Sequence, residues 1–345
     1  MGESILLIGT FFSHINGFRS GSEDLATYCR EKGWHVITTS HHPNRFRRIL
    51  DILTTIWKYK NEYKVARIDV YSGPAFFWAE AAAWLLKKLN KPFILTLHGG
   101  NLPLFATHWP NRVSRLMQSA NIVTTPSHYL LETIPSINNG THLIPNHIDV
   151  GSHTFKMREV PQPYIIWLRA FHSIYNPTIA PRVLAQLMFD FPNARLIMVG
   201  LDKGDGSLQQ TIKVAETLGV AEKIDLPGGI PKNDVPNWLA KGDIFINTTN
   251  IDNTPISVLE ALACGLCVVS TNVGGIPYLL EDEHDALLVP PDDPLAMAEA
   301  VRRILTESGL AQRLSSNARR KAEQFDWKVI MPQWESTFKN IMEKG

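Results

Sequence analysis

The stretch Asp252-Asn-Thr-Pro-Ile-Ser-Val-Leu-Glu260, continued by Ala261-Leu-Ala-Cys-Gly265, lies between two short apolar runs at residues 244–247 and 267–270. The runs have the length and composition of buried strands, and residues 255–264 between them have a helical composition. A strand followed by a helix and a second strand is the unit from which parallel sheets are built. The stretch therefore predicts an α/β fold in which a helix begins at the carboxyl end of a strand.

The predicted start of this helix is suited to an anion. Its first backbone N–H groups have no partner within the helix and lie at the positive end of the helix dipole, so they can hold a diphosphate. Glu260, inside the helix, offers acceptor oxygens for a pair of sugar hydroxyls. A capped helix with a buried glutamate is the alternative interpretation.

Short apolar runs alternate with helical patterns along almost the whole chain. The runs occupy residues 4–8, 34–38, 68–71, 93–97, 122–125, 142–144, 164–168, 195–199, 223–226, 244–247, 267–270 and 286–289. Predicted helices include residues 23–32, 79–89, 255–264 and 294–306. Strands in two sets of six predict two Rossmann-like domains, each with a doubly wound parallel sheet.

The boundary between the domains is predicted within residues 150–162, a polar stretch without periodicity. The chain then divides into residues 1–155, residues 156–324 and a C-terminal segment, residues 325–345. In this segment a helical spacing relates Trp327, Ile330, Trp334 and Phe338, with Pro332 as an expected kink. Because no strand follows, the segment is expected to pack back onto a domain that is already formed.

Composition argues against several classes of protein. Of the 345 residues, 34 are Lys or Arg and 33 are Asp or Glu, and a net charge of +1 argues against a nucleic-acid binder held by overall charge. The three cysteines are too few for a disulfide scaffold, which indicates a reducing, cytoplasmic location. Cys264 and Cys267 have no second pair of zinc ligands at a similar spacing, so they are interpreted as small buried residues. No apolar run reaches the length of about 18 residues typical of a membrane-spanning helix.

Small or functional residues follow several predicted strands in the second half of the chain. Arg169 follows the run 164–168, Gly200 follows the run 195–199, and Gly229 and Ile230 follow the run 223–226. The pair Gly274-Gly275 follows the run 267–270, where backbone without side chains is expected to approach a ligand. Ligands of α/β proteins bind at the carboxyl ends of strands, so these residues predict one binding edge.

In this order the motifs resemble those of glycosyltransferase family 4, and the resemblance covers nearly the whole chain. The family's Glu-x7-Glu motif corresponds to Asp252 and Glu260, and its Gly-Gly-x-Glu loop corresponds to the loop that contains Gly21-Ser-Glu23. Further correspondences are Leu97-His98-Gly99 with a His-Gly pair, Ser127 after a strand, and Ile144-Pro-Asn146 with Ile-Pro-Asn-Gly.

The resemblance implies a GT-B fold, with two Rossmann-like domains facing across a cleft and a C-terminal helix crossing back to the N-terminal domain. It implies that a sugar moves from a nucleotide-sugar donor, a UDP- or GDP-sugar, to a hydroxyl of a glycan or lipid-linked saccharide with retention of configuration. No metal and no cofactor are implied, since the nucleotide sugar is a substrate. The N-terminal domain would bind the acceptor and the C-terminal domain the donor.

The resemblance also implies roles for individual residues. The expected catalytic residues are His98, Asp252 and Arg169, with Arg169 as the cation that holds the diphosphate. The expected donor-binding residues are Gly21, His172, Asn176, Gly200, Gly229, Ile230, Asn253, Thr254, Pro255, Ile256 and Glu260. On the acceptor side they are Gly99, Asn101, Ser127 and Asn146. For the last three, capping of loops and strand ends is the alternative role.

Four positions depart from the family pattern. Asp252 is one methylene shorter than the family's glutamate, Ser20 replaces a glycine, and His147 replaces the glycine after Asn146. The family's lysine is missing from the loop 170–177, where His172 or Asn176 is the expected substitute. A nearby phosphate would favour the protonated form of His172.

Two related functions remain open: a nucleotide-sugar 2-epimerase, and a catalytically weak nucleotide-sugar-binding protein of the same fold. A nicotinamide oxidoreductase is disfavoured because no Gly-x-Gly-x-x-Gly follows the first strand. A glycosidase is disfavoured because Asp252 and Glu260 belong to one turn and helix and would not bracket a glycosidic bond.

Residues 45–60 predict a basic amphipathic helix, whose apolar stripe consists of Phe46, Ile49, Leu50, Leu53, Ile56 and Trp57. Residues 45–67 contain seven basic and two acidic side chains, a net charge of +5 in a chain with +1 overall. Such a helix suits peripheral attachment to an anionic surface at the inner face of a membrane. A Rossmann helix that buries its stripe against its own sheet is the alternative.

Overall fold

The computed structural model describes residues 3–11, 20–39, 42, 44–134 and 141–344. It divides into two compact units: the first comprises residues 1–146 and 328–345, and the second comprises residues 147–327. Each unit contains one six-stranded sheet. Every strand pair in the described residues is parallel, which confirms the predicted α/β class with two Rossmann-like sheets.

The first sheet has the strand order β2-β1-β3-β4-β5-β6. Its strands are β1 (Ser4–Ile8), β2 (His35–Thr39), β3 (Val65–Val70), β4 (Phe93–Leu97), β5 (Ile122–Thr125) and β6 (Thr141–Leu143). The helices of this unit are α1 (Gly21–Glu31), α2 (Arg45–Lys58), α3 (Phe76–Lys88), α4 (Leu102–His108), α5 (Pro110–Met117) and α6 (His128–Thr133). Strands β1 and β4 are buried throughout, as expected for a parallel sheet with both faces covered.

The second sheet has the order β12-β11-β10-β7-β8-β9. Its strands are β7 (Tyr164–Leu168), β8 (Arg195–Val199), β9 (Ile224–Gly228), β10 (Ile244–Asn247), β11 (Cys267–Thr271) and β12 (Leu287–Val289). Its helices are α7 (Ile179–Leu187), α8 (Ser207–Thr217), α9 (Val235–Leu239), α10 (Ile256–Ala263), α11 (Ile276–Leu279), α12 (Pro294–Thr306) and α13 (Leu310–Glu323). Alternate residues of β10 enter different cores: Ile244 packs in the cluster that contains α12, and Phe245 in the cluster that contains α10.

The last helix, α14 (Trp327–Lys344), returns to the first unit and contains the predicted Pro332. The ring of Phe338 lies 5.8 Å from that of Trp34, measured between centroids. The guanidinium of Arg67 lies over the ring of Trp334 at 4.6 Å. These contacts confirm the C-terminal helix that was expected to cross back to the N-terminal domain.

Strand β3 begins at Val65, three residues before the predicted run 68–71, and ends at Val70. The predicted run omitted residues 65–67, yet Arg67 is buried within the strand. Its guanidinium pairs with the Asp69 carboxylate at 3.0 Å, and this neutralised pair is tolerated inside the sheet. The other predicted strands agree with the structure to within two residues at either end.

Helix α2 buries a different stripe from the predicted one. Ile52 and Ile56 are buried, whereas Phe46 is 81% and Trp57 is 56% exposed, and Leu50 is exposed as well. The alternative in which this whole stripe is buried against the sheet is therefore wrong in part, because Ile52 and Ile56 mark the buried edge of the helix. The side chain of Arg45 lies outside the described residues.

The three cysteines are free and buried. Burial raises the pKa of Cys264 to about 11 and that of Cys267 to about 12, so both thiols are protonated at neutral pH. They behave as small core residues, as predicted. Among the described residues, no helix combines the length and the apolar composition needed to cross a bilayer.

Candidate functional site

Arg169 follows strand β7 and is paired with a residue far along the chain. One of its terminal nitrogens donates to the carboxylate of Asp252, which precedes helix α10. The guanidinium also lies over the ring of Tyr175, 4.4 Å from its centroid. The structure thus brings together two of the three predicted catalytic residues at the carboxyl edge of the second sheet.

The guanidinium of Arg169 is a largely buried cation. Burial lowers its pKa, while the nearby Tyr175 and Glu260 act in the opposite direction. Its Nε is buried and has no hydrogen-bond partner in the part of the chain that is described. A buried donor without a hydrogen bond lowers the stability of the folded state. This nitrogen is therefore suited to donate to an anion that enters the site.

Helix α10 begins at Ile256, after Pro255 in extended conformation. Asn253 and Thr254 before it are buried, and the Asn253 N–H donates to Asp252 Oδ1 at 2.9 Å. In the first turn the hydroxyl of Ser257 is buried and has no partner among the described residues. The sequence interpretation missed Ser257, although its place one turn before Glu260 was a usable signal. Glu260 itself is buried.

The glycine pair after β11 holds the loop that carries Asp252. A Cβ on Gly275 would collide with the carbonyl oxygen of Asn253, and one on Gly274 with that of Asp252. The Gly275 N–H donates to the Asp252 carbonyl at 2.9 Å. The pair therefore lies close to the backbone of residues 252 and 253, because strand β11 ends beside that loop.

Gly200 and Gly229 also serve packing. A Cβ on Gly200 would collide with the backbone of Arg169, so the glycine lets β7 and β8 end side by side. A Cβ on Gly229 would collide with the Leu201 side chain. Ile230, predicted to contact the donor, packs in the core cluster that contains helix α9. These residues shape the edge of the sheet beneath Arg169.

The two expected substitutes for the missing lysine lie in the loop after β7. His172 is exposed enough to meet a ligand; its Nδ1 accepts from the Ile174 N–H at 3.1 Å, which leaves Nε2 as the ring donor. Asn176 has a left-handed backbone with φ of 43°. Its amide donates to Asp292 at 3.2 Å. Asn176 is therefore already engaged with protein, whereas His172 keeps a donor.

His98, the third predicted catalytic residue, belongs to the first unit and follows strand β4. Its Nε2 lies 3.1 Å from Oδ1 of Asp69, and its ring stacks on Tyr71 with centroids 5.0 Å apart. Because an ionised carboxylate only accepts, Nε2 carries the proton and Nδ1 is left as an acceptor. Asp69 therefore orients a histidine whose side chain is partly exposed.

Asp69 was missed by the sequence interpretation. It is buried, and burial alone would raise its pKa, but Arg67 and His98 together with a hydrogen bond from Ser22 hold the pKa at about 2. The carboxylate is thus charged at any physiological pH. The usable signal was an aspartate inside an apolar strand, two residues after an arginine that points to the same side.

The remaining predicted residues of the first unit lie at loop and helix ends. Ser127 caps helix α6 by accepting from the Leu130 N–H at 3.3 Å, which is the alternative role considered for it. Gly99, with φ of 85°, and Asn101 are exposed between β4 and α4. Asn146 is half-buried after β6. Gly21 opens helix α1.

The Ser20 substitution has a local explanation. Ser20 forms a capping box with Glu23: the Ser20 N–H donates to Glu23 Oε2 at 2.7 Å, and the Glu23 N–H donates to Ser20 Oγ at 3.2 Å. Serine thus replaces glycine with a residue that stabilises the start of α1.

Two sequence families match this chain, one in each half. The model described as Glycosyltransferase Family 4 matches residues 14–152, and the model described as Glycosyl transferases group 1 matches residues 155–321. The chain belongs to glycosyltransferase family 4. It is a glycosyltransferase with both characteristic domains of this family, as the motif order predicted.

This family 4 glycosyltransferase is similar to a D-inositol 3-phosphate glycosyltransferase from Streptomyces bingchenggensis, with 29% identity over 157 residues. The match covers 44% of this chain and only 34% of that relative. Among solved structures, sucrose-phosphate synthase from Thermosynechococcus elongatus superposes with a TM-score of 0.79, 18% identity and coverage of 99% and 100%. Anabaena HepE in complex with UDP-glucose gives a TM-score of 0.75 at 18% identity, covering 98% of this chain and 99% of HepE. These structures show the GT-B fold.

Proposed function

We propose that this family 4 glycosyltransferase transfers a hexose from a UDP-sugar to a hydroxyl of a glycan or lipid-linked saccharide, with retention of configuration. The observation that carries the proposal is a pair of buried polar atoms, Arg169 Nε and Ser257 Oγ, neither of which has a hydrogen-bond partner among the described residues. One lies at the end of β7 and the other in the first turn of α10. A diphosphate offers the acceptor oxygens that such donors need.

The diphosphate is proposed to bind Arg169 and the N-terminus of α10. Arg169 already pairs with Asp252, so an arriving diphosphate shares the cation with this carboxylate. Five N–H donors on one planar group make that sharing feasible. Asp252 then keeps its free acceptor capacity for hydroxyls of the donor sugar, and its shorter side chain suits the direct pairing with Arg169.

Glu260 is proposed to accept hydrogen bonds from the ribose hydroxyls. It lies inside α10, and its charge is felt at the Arg169 guanidinium. His172 Nε2 is proposed to take the place of the family's lysine beside the phosphates, since Nδ1 is already used within its loop.

Metal-independent transfer is proposed because these fixed donors can stabilise the charge that builds on the leaving group. In the proposed step the bond between the sugar C1 and the diphosphate oxygen breaks, and the acceptor oxygen bonds to C1 on the same face. The acceptor proton passes to the leaving diphosphate. His98, oriented by Asp69, is proposed to bind a hydroxyl of a sugar through Nδ1.

A UDP-sugar donor and a cytoplasmic location are both proposed, each on a separate observation. HepE, with the same fold, is seen with UDP-glucose, which supports a UDP-sugar. The three free cysteines support a reducing, cytoplasmic compartment.

A thermal-shift titration with UDP, GDP, ADP and their sugars tests the donor, because a ligand of the folded state raises the melting temperature with its concentration. UDP and UDP-sugars should stabilise the protein most. Proton NMR of the product with a simple acceptor should then show retained anomeric configuration, in the presence of EDTA as in its absence. Release of an epimerised nucleotide sugar without acceptor would identify an epimerase instead, and donor binding without turnover would identify a binding protein.

A further inference from the structure

Two neighbouring helices of the first unit expose large apolar side chains. On α2 these are Phe46, Leu50 and Trp57, and on α3 they are Phe77 and Trp84. We call these five residues the aromatic face; each is more than half exposed. Single apolar residues on a surface are ordinary, but five on two adjacent helices mark an interaction surface.

The two helices form one layer. The connections from β2 to β3 and from β3 to β4 step in the same direction across the sheet, so right-handed crossovers place α2 and α3 on the same side. The guanidinium of Arg48 lies 4.3 Å from the ring centroid of Trp78, which links the helices directly. Ile52 and Phe76 belong to one buried cluster beneath them. The aromatic face therefore lies on the outer side of this layer.

The same stretch is strongly basic. Residues 45–91 contain ten basic and four acidic side chains, a net charge of +6 in a chain of +1 overall. Three of the acids are engaged with protein: Asp69 with Arg67, Glu80 with Arg112, and Asp51 with Thr39. The exposed basic residues of this stretch are Arg47, Lys58, Lys64, Lys87 and Lys88. The free charge at this surface is thus positive.

Each exposed tryptophan of the aromatic face carries a lysine on its ring. Lys60 Nζ lies 3.8 Å from the centroid of Trp57, and Lys88 Nζ lies 5.1 Å from that of Trp84. An indole ring prefers the boundary between hydrocarbon and headgroups, while a lysine extends its ammonium toward the phosphates. Each tryptophan–lysine pair therefore suits one leaflet of an anionic bilayer, with the indole at the hydrocarbon boundary and the ammonium among the headgroup phosphates.

We infer that the aromatic face of α2 and α3 docks this enzyme on an anionic membrane surface. Charge complementarity selects the occupant, because anionic headgroups attract a basic surface and the acyl region takes up the aromatic side chains. The inference goes beyond the proposed transfer reaction and does not depend on which donor binds.

Vesicle co-sedimentation tests it, with pure phosphatidylcholine against an equimolar mixture of phosphatidylcholine and phosphatidylglycerol. The protein should sediment with the anionic vesicles at low salt and be released at high salt. The variant Arg47→Glu/Lys58→Glu/Lys88→Glu should bind at least about tenfold more weakly, since each basic residue near an anionic surface contributes roughly fivefold. Arg48 is left unchanged because it packs on Trp78.

A second variant separates insertion from charge attraction. Trp57→Ser/Trp84→Ser should also lose vesicle binding, whereas Phe189→Ser/Leu295→Ser, which removes two exposed apolar residues of the second unit, should not. Brominated lipids should quench the tryptophan fluorescence of the wild type more than that of Trp57→Ser/Trp84→Ser. UDP-dependent thermal shifts of the same samples report folding and donor binding separately, so failure of the donor proposal would be visible on its own.

Equal recovery in the supernatant with neutral and anionic vesicles at low salt would overturn the inference. So would a concentration-dependent dimer that the tryptophan variant abolishes without any vesicle binding, because the aromatic face would then belong to a second copy of the chain.

Discussion

The buried carboxylate of Asp69 in strand β3 pairs with the partly exposed imidazole of His98 after strand β4, with 3.1 Å between Oδ1 and Nε2. Strands β3 and β4 are direct neighbours, and the register pairs Val70 with Leu97, one residue away from each partner. Arg67 approaches the same carboxylate from within β3. The pair therefore links the interior of the first sheet to the edge at which its strands have their carboxyl ends.

Asp69→Asn should destabilise the protein by about 3–5 kcal/mol, because it leaves the buried Arg67 without a countercharge. Urea denaturation measures this loss. Glu62→Gln, an exposed change in the same unit, serves as the control and should stay within about 0.5 kcal/mol of the wild type. A variant as stable as this control would show that Arg67 is neutralised by another group.

The same variant isolates a pH dependence. The pKa of Asp69 is about 2 in the folded state, below its unfolded value, so its contribution is present above about pH 4 and is lost as the pH falls toward 2. The difference in unfolding free energy between wild type and Asp69→Asn should shrink by roughly 2–3 kcal/mol over that range. A difference that stays constant from pH 5 to pH 2 would contradict the lowered pKa.

Arg169→Lys should reduce kcat/KM by about 100-fold or more, as expected when one fixed donor to a developing negative charge is lost. An ammonium cannot pair with Asp252 and still present a planar fork to a diphosphate. Arg182→Lys on the exposed side of α7 is the matched control. Near-full activity of Arg169→Lys would rule out the proposal that one planar guanidinium is shared between Asp252 and the diphosphate.

Asp252→Asn should separate binding from turnover. Removal of the carboxylate leaves Arg169 to the diphosphate, so UDP affinity should rise about fivefold, roughly 1 kcal/mol. Transfer from the UDP-sugar should nevertheless fall, because the acceptor oxygens proposed for the donor sugar are altered. Calorimetric titration with UDP and a turnover assay measure the two effects, with Asp225→Asn as an exposed control. Weaker UDP binding would mean that Asp252 positions Arg169 rather than competing for it.

Glu260→Gln should weaken UDP binding by about 1–3 kcal/mol, since a charged acceptor of two ribose hydroxyls becomes a neutral amide. Glu222→Gln, exposed in the same unit, should bind UDP like the wild type. Unchanged affinity in Glu260→Gln, with the fold intact, would leave this residue as a buried structural glutamate.

Gly275→Ala should destabilise the second unit by about 1–3 kcal/mol, because the new methyl group collides with the Asn253 carbonyl. The loop that carries Asp252 would shift with it, so activity should fall as well. Gly21→Ala meets no atom within 4 Å and should leave stability unchanged. Thermal melts of the two variants decide between a packing role and free space at Gly275.

The class of fold and most of its strands could be predicted from the order of the amino acids. Period and run length report whether a short segment is buried on one side or on both, and this local property was enough to predict two parallel sheets and helix Pro294–Thr306. Motif order was enough to predict the family. Strand β3 was the exception, because the burial of Arg67 depends on its pairing with Asp69.

Which polar residues come into contact depends on how the chain folds in three dimensions. Arg169 and Asp252 are separated by 83 positions, and the order β10-β7-β8 brings the ends of their strands together. The same folding sets Gly275 against the backbone at Asn253, and leaves Phe46 and Trp57 outside while Ile52 turns inward. Local sequence patterns could not predict these contacts. The partner of a charged side chain and the buried face of a helix depend on neighbours that are distant along the chain.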